Sequence, residues 1–274
     1  MLSEPRVIFF QTELKVPPIE QFEIPKSKDL ARQIYNKMFE PGGYRYENLD
    51  LQAPQPTLST RRESGQSICR VGTHSILIAE SEPEFEVDEF VGVVKTILRA
   101  IGNDFPPFFI PQLCKIQCLS QPNNCENAVD LLGGKVANVL GSIDPFERPP
   151  SYFGVRFRFS AVDLHEVQGD ADADLNEEGG ESEPVADVPQ ETKPPDQAQA
   201  TEHESYVTLR FETYDKDVTQ VWMEAAAVYP LLIPVGDLDK VEYNIRETYR
   251  FLTMKAKKFL DQYDQPHDEE SNDS

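Results

Sequence analysis

The 274-residue chain has only four cysteines, four histidines and one tryptophan. Cys114-x3-Cys118-x6-Cys125 lacks the paired CxxC spacing of a zinc site, and Cys69 stands alone. Cys114, Ile116 and Cys118 alternate on one face of an expected strand, where a free thiol packs as a small hydrophobe. HExxH, GxSxG and GxGxxG are all absent. Leu132-Gly133-Gly134-Lys135 is not the GxxxxGK[ST] loop whose amides cradle phosphate. His165, His203 and His267 fall in acidic, turn-rich segments that cannot hold acid–base geometry, and His74 falls in an expected turn. No catalytic residue, metal ligand or cofactor-binding residue is nominated, and no cofactor is expected.

Long apolar runs are missing too. The run in MLSEPRVIFF is four residues long and follows an acid rather than a basic region, so no signal peptide is expected. The stretch from Ala225 to Val235 is short and contains Pro230 and Pro234. These features lead to the expectation of no membrane span, a cytoplasmic location and reduced thiols.

What is abundant is negative charge. Formal net charge is −22. Residues 161–206 contribute −13 and the stretch from Asp261 onward −6, leaving −3 for the rest. Acidity therefore belongs to two segments attached to a nearly neutral body. Such runs are usually solvated and repel nucleic acid and anionic lipid. The sharper alternatives are a mimic of the DNA backbone or a lid over a basic face. Residues 165–204 lack the large apolar groups needed to offset ordering entropy, so they form an expected disordered insert. Residues 264–274 form an expected disordered tail.

The apolar pattern predicts an α+β fold of two similar β-α-β-β-β-α halves. Their largely antiparallel sheet is covered by helices on one face. The first half spans 1–104, and the second spans 105–164 and 205–263. In the first, Arg6–Val16 reads as a strand and Ser27–Phe39 as a helix capped by Ser27. Tyr44–Leu51 reads as a short strand. Thr57–Arg62 and Ser67–Glu80 flank Glu63-Ser64-Gly65-Gln66 as a hairpin. Val87–Ile101 carries the i, i+3, i+4, i+7 stripe of an amphipathic helix. In the second half, Phe108–Leu119 reads as a strand and Asn124–Leu140 as a helix weakened by Gly133-Gly134. Phe153–Val162, Tyr206–Tyr214 and Val218–Tyr229 read as strands. A long helix starts at Asp237, a good N-cap.

Five stretches carry a family resemblance: SICRVGTHSILIAES (67–81), QLCKIQCLSQ (112–121), YFGVRFRFSAV (152–162), VWMEAAAVYP (221–230) and LDKVEYNIRETYRFLT (238–253). In order and spacing the chain resembles a family of uncharacterised, sporadically distributed bacterial proteins of about this length. The likeness implies the fold and a bacterial source, and implies no chemistry. Where relatives often show a His–Glu pair, this chain reads Val241-Glu242-Tyr243.

Alternation in the strands points Arg156, Arg158, Arg210 and Glu212 away from the core, beside Thr208 and Glu224. These residues form either a cross-strand ion-pair ladder or a platform that binds an anion or an acidic partner. Two halves with an open sheet face are similar in outline to the TATA-binding saddle. That mode needs a basic face, so nucleic acid is not an expected partner. The leading expectation is a non-enzymatic protein-interaction module, accessory to a bacterial defence system. The alternatives are an anion- or small-ligand-binding module on the arginine face, or an enzyme whose site is assembled from scattered residues. The acidic insert would be the nearest ligand for the arginines. Deleting residues 168–202 should then raise polyanion binding in a titration, and unchanged binding eliminates that masking role.

Overall fold

A computed structural model describes residues 1–15, 24–38, 46–101, 108–109, 111–142, 148, 150–160, 205–229, 233–234 and 237–266. The acidic insert, 165–204, lies outside the described residues, as do the three histidines expected in acidic segments. The fold is α+β. The first half comprises β1 (Arg6–Lys15), α1 (Ile24–Met38), β2 (Asn48–Asp50), β3 (Thr57–Arg61), β4 (Gln66–Val71), β5 (Ser75–Ser81) and α2 (Val87–Ile101). Next come β6 (Phe108–Phe109), β7 (Gln112–Ser120) and a π-helical turn at Asp130–Val136. The chain continues through β8 (Gly154–Ser160), β9 (Tyr206–Tyr214), β10 (Asp217–Tyr229), β11 (Ile233–Pro234) and α3 (Leu238–Arg250). A second π-helical turn, Phe251–Ala256, joins α3 to α4 (Lys257–Asp261).

Nine strands form one sheet in the order β2-β3-β4-β5-β1-β7-β10-β9-β8, with every neighbouring pair antiparallel. β6 and β11 pair separately. The central seam joins the leading long strands of the two halves, with Phe10 opposite Ile116 and Thr12 opposite Cys114. Outward from it run β5, β4, β3 on one side and β10, β9, β8 on the other. Among the described residues β2 extends the first side by one more strand.

Period-two patterning dictates which face is covered. Phe10, Leu14, Ile76, Cys69, Ile116, Met223 and Phe211 are buried on one face. The helices lie against it. Phe10 stacks on Phe90 of α2 at 5.0 Å, and Phe211 stacks on Phe259 of α4 at 6.0 Å. α1 brings Ala31, Ile34 and Met38 into the same core. In α2 the whole predicted stripe is buried. Each such side chain contributes about 1.5–3 kcal/mol of hydrophobic stabilisation. Burial pushes the thiols of Cys69, Cys114 and Cys118 up to about 12, so they stay protonated within the core.

One polar cluster ties the seam to α3. Buried Gln112 donates to Thr12 Oγ1 at 3.1 Å and to the Val241 carbonyl at 3.3 Å. Its Oε1 accepts from Asn244 Nδ2 at 2.7 Å. On the helix surface an ion cluster links the halves. Lys95 of α2 meets Glu242 at 2.5 Å and Asp239 at 3.1 Å. Arg246 of α3 pairs with Glu242 at 2.7 Å and with Asp88.

Several local expectations change. Helix α1 begins at Ile24, so Ser27 is a buried residue inside it rather than its cap. Pro25 suits that earlier start, because proline is tolerated in a helix's first turn. Ser67–Glu80 is a hairpin in itself. It turns at Gly72, whose amide donates to the Ser75 carbonyl at 2.8 Å. No helix starts at Asn124. Asn127 takes the capping role, its Oδ1 accepting from the Asp130 amide at 2.9 Å. The glycine pair then sits in the π-helical turn. There a Cβ on Gly133 would come within 2.9 Å of the Leu140 side chain. The expected tail also begins too early. Asp264 is fully buried and accepts from the amides of Asn123 and Asn124 at 2.9 and 2.8 Å.

The ion cluster makes acid stability testable. Hydrogen bonds from Lys95, then Arg246, hold the Glu242 carboxyl below its ordinary range. A carboxylate shifted down contributes fully above its unfolded pKa of about 4.3 and loses that contribution as pH falls through the lower folded value. In urea melts, the stability advantage of the wild type over Glu242→Gln should therefore be constant above about pH 5 and shrink below about pH 4. An advantage independent of pH would contradict this assignment.

Candidate functional site

The sheet face opposite the helices gathers the four predicted residues. Register runs Arg156 opposite Arg210, Arg210 opposite Glu224, Glu224 opposite Gln117 and Gln117 opposite Phe9. A second row runs Arg158, Thr208, Ala226 and Lys115. β9 and β10 supply the middle of both rows because, past an irregularity between Asp217 and Val221, their register runs unbroken from Val221 opposite Thr213 to Val228 opposite Tyr206.

The structure divides the four residues into two pairs. Arg210 is neutralised: its Nη2 donates to Glu212 Oε1 at 2.5 Å, and its Nη1 lies 3.5 Å from Glu224. Its guanidinium also sits 5.2 Å from the Trp222 ring centroid. Glu224, only 5% exposed, accepts from Gln117 at 2.7 Å and lies 3.6 Å from Lys115. Glu212 accepts from the Tyr152 hydroxyl at 2.6 Å. Burial and that hydrogen bond push Tyr152 up to about 12, so it remains a donor. This half of the constellation is the ion-pair ladder.

Arg156 and Arg158 behave otherwise. Both are exposed on β8, and neither makes an ion pair among the described residues. The Arg158 guanidinium lies 4.1 Å over the Tyr206 ring, which orients the group and leaves its charge uncancelled.

β8 is also the last strand of the sheet among the described residues. The Thr213 amide donates to the Phe153 carbonyl at 2.9 Å. Antiparallel pairs alternate between hydrogen-bonded and non-hydrogen-bonded, so the amides of Val155, Phe157 and Phe159 face β9. Those of Gly154, Arg156, Arg158 and Ser160 face away from the sheet. On the helix side of this edge Phe159 is 44% exposed, with its ring 5.9 Å from Phe251. Met254, one turn beyond Phe251, is 65% exposed. Alternation assigns Phe159 correctly to the helix side. It cannot show that β8 is an edge, and so misses Phe159, Phe251 and Met254 as surface groups.

Other candidates offer less. His74 is exposed in the β4–β5 turn. Buried Glu80 accepts from Ser67 Oγ at 2.5 Å and lies 3.5 Å from Arg62, a compensated pair. Among the described residues no cluster of metal-ligating side chains occurs, and no helix is long and apolar enough to cross a membrane. An open depression of about 350 Å³ is lined by Ala53, Gln55 and Arg70, and another of about 270 Å³ by Asn127, Asp130 and Ser151. Neither brings together an acid–base pair among those residues. No family model matches the chain, and no curated protein matches it.

The division into two pairs predicts a contrast in stability. Arg210→Ala leaves Glu224 and Glu212 undercompensated and should cost about 1–3 kcal/mol. Arg156→Ala should change stability by less than about 0.5 kcal/mol. Chemical denaturation of both variants checks this, and equal losses would refute the division.

Proposed function

We propose that this chain is a non-enzymatic interaction protein that presents the arginine-bearing end of its uncovered sheet face to an acidic region of a protein partner. One observation carries the proposal. In a chain of net charge −22, Arg156 and Arg158 stand exposed on one face, and neither makes an ion pair among the described residues. Uncancelled guanidiniums favour carboxylate partners through charge-assisted, often bidentate, hydrogen bonds. The resemblance to sporadically distributed bacterial proteins extends the proposal to a cytoplasmic accessory role in a bacterial defence system. A second reading is an anion-binding module. Arg156 and Arg158 are two residues apart, so their Cα atoms lie about 6–7 Å apart along the strand. That spacing lets both reach one phosphate.

The test compares wild type with the double variant Arg156→Glu/Arg158→Glu. Poly-glutamate and inorganic phosphate are titrated separately, and cross-linked partners from lysate are identified by mass spectrometry. Poly-glutamate binding should fall at least tenfold in the variant, and a defined subset of partners should be lost. Phosphate binding abolished by the variant, with poly-glutamate unbound, selects the anion module. An unchanged partner set and unchanged titrations overturn both readings.

A further inference from the structure

Strand β8 combines three properties that edge strands usually avoid together. Gly154, Arg156, Arg158 and Ser160 turn their amides and carbonyls away from β9, toward a side with no strand among the described residues. One face of the edge carries Arg156 and Arg158, neither ion-paired among the described residues. The other carries exposed Phe159 against Phe251. Proteins blunt free edges with charge, bulges or proline. The two arginines alone would fit such a guard. An exposed phenylalanine on the same short strand does the opposite, because it rewards a strand that docks.

We propose that β8 receives an extended segment of a partner protein by strand addition, and that the segment alternates acidic with apolar side chains. The inference rests on the chain being an interaction protein and specifies the partner and the mode. Side chains of an added strand alternate between faces. On one face they meet two guanidiniums, so they are acidic. On the other they meet Phe159 and Phe251, so they are apolar. A one-residue slip would exchange the two sets, and the register is thereby selected. A second copy of this chain is disfavoured. Antiparallel β8–β8 pairing centred on Phe157 would put Arg156 of one copy opposite Arg158 of the other, and like charges directly opposite are destabilising.

The experiment uses the full chain and a fluorescein-labelled eight-residue peptide of alternating glutamate and valine, followed by anisotropy. Controls are an alternating lysine–valine peptide and one with four glutamates followed by four valines. Two further glutamate–valine peptides are N-methylated at every second amide, in opposite phases. The alternating acidic peptide should bind at least tenfold tighter than either control. One methylation phase should abolish binding and the other should leave it, because only one set of amides faces β8. Arg158→Pro should bind at least tenfold more weakly than Arg158→Ala, since it also removes an outward donor. Proline is compatible with an edge position whose amide points to solvent. The methylated peptides test the edge even if that variant fails to fold. Equal binding of both phases, or of the block-ordered peptide, overturns strand addition and leaves face recognition intact. Failure of every acidic peptide overturns it as well. So does sedimentation showing a dimer that Arg158→Pro abolishes, which would assign the edge to a second copy.

Discussion

The antiparallel pairing of β1 with β7 is the constraint from which the rest of the architecture follows. It uses the leading long strand of each half as the centre of one sheet. Later strands of each half can add only outward, so the last positions fall to β2 on one side and β8 on the other. Because β1 and β7 are buried in register, their inner residues Phe10, Leu14 and Ile116 fix which face the helices must cover. A slip of one residue would turn those side chains out and bring Gln11 and Lys115 in. Among the described residues, the strand edge and the face without helices are therefore consequences of one pairing.

The seam is not purely apolar. Thr12, Gln112 and Asn244 are all buried, and Gln112 hydrogen-bonds to both of the others. Their net stabilisation is modest, but an unmade bond among them would cost the full desolvation of a polar group. Slipping α3 along the seam would break the Asn244–Gln112 bond and the Gln112 contact to the Val241 carbonyl together. The ion cluster around Glu242 acts in the same sense at the surface, joining α2 of the first half to α3 of the second. Apolar burial holds the halves together, and these polar contacts set their alignment.

Where burial follows a simple period, the sequence reveals the structure. The stripe of α2, the alternation of β9 and β10, and the Asp237 cap of α3 are all legible, the last confirmed by the Lys240 amide reaching Asp237 Oδ1 at 3.3 Å. Failures occur where a distant residue decides. Asn123 and Asn124 are held by Asp264, some 140 positions away, so helical periodicity there misleads. The Gly133-Gly134 pair is read as a weak spot in an α-helix, but the packing of Leu140 and Phe153 against Gly133 favours a wider turn. At the candidate site, alternation gives the face of each arginine but not its partner. That requires cross-strand register, which sets Arg210 beside Glu224 and sets Arg158 beside Thr208.

That register also explains why two arginines on one face have different chemical standing. Arg210 lies between Glu212 and Glu224 beside the Trp222 ring, so most of its charge is spent within the sheet. Arg158 rests on Tyr206 instead. An aromatic face holds a guanidinium in place through its quadrupole but adds no formal negative charge. An acidic residue in place of Thr208 would have neutralised it directly, and Thr208 is nearly buried and uncharged. Orientation without neutralisation lowers the ordering cost of a later contact while keeping the full electrostatic attraction. The surplus acidity of the chain lies in other segments, and on this face the two exposed guanidiniums of β8 make no ion pair among the described residues.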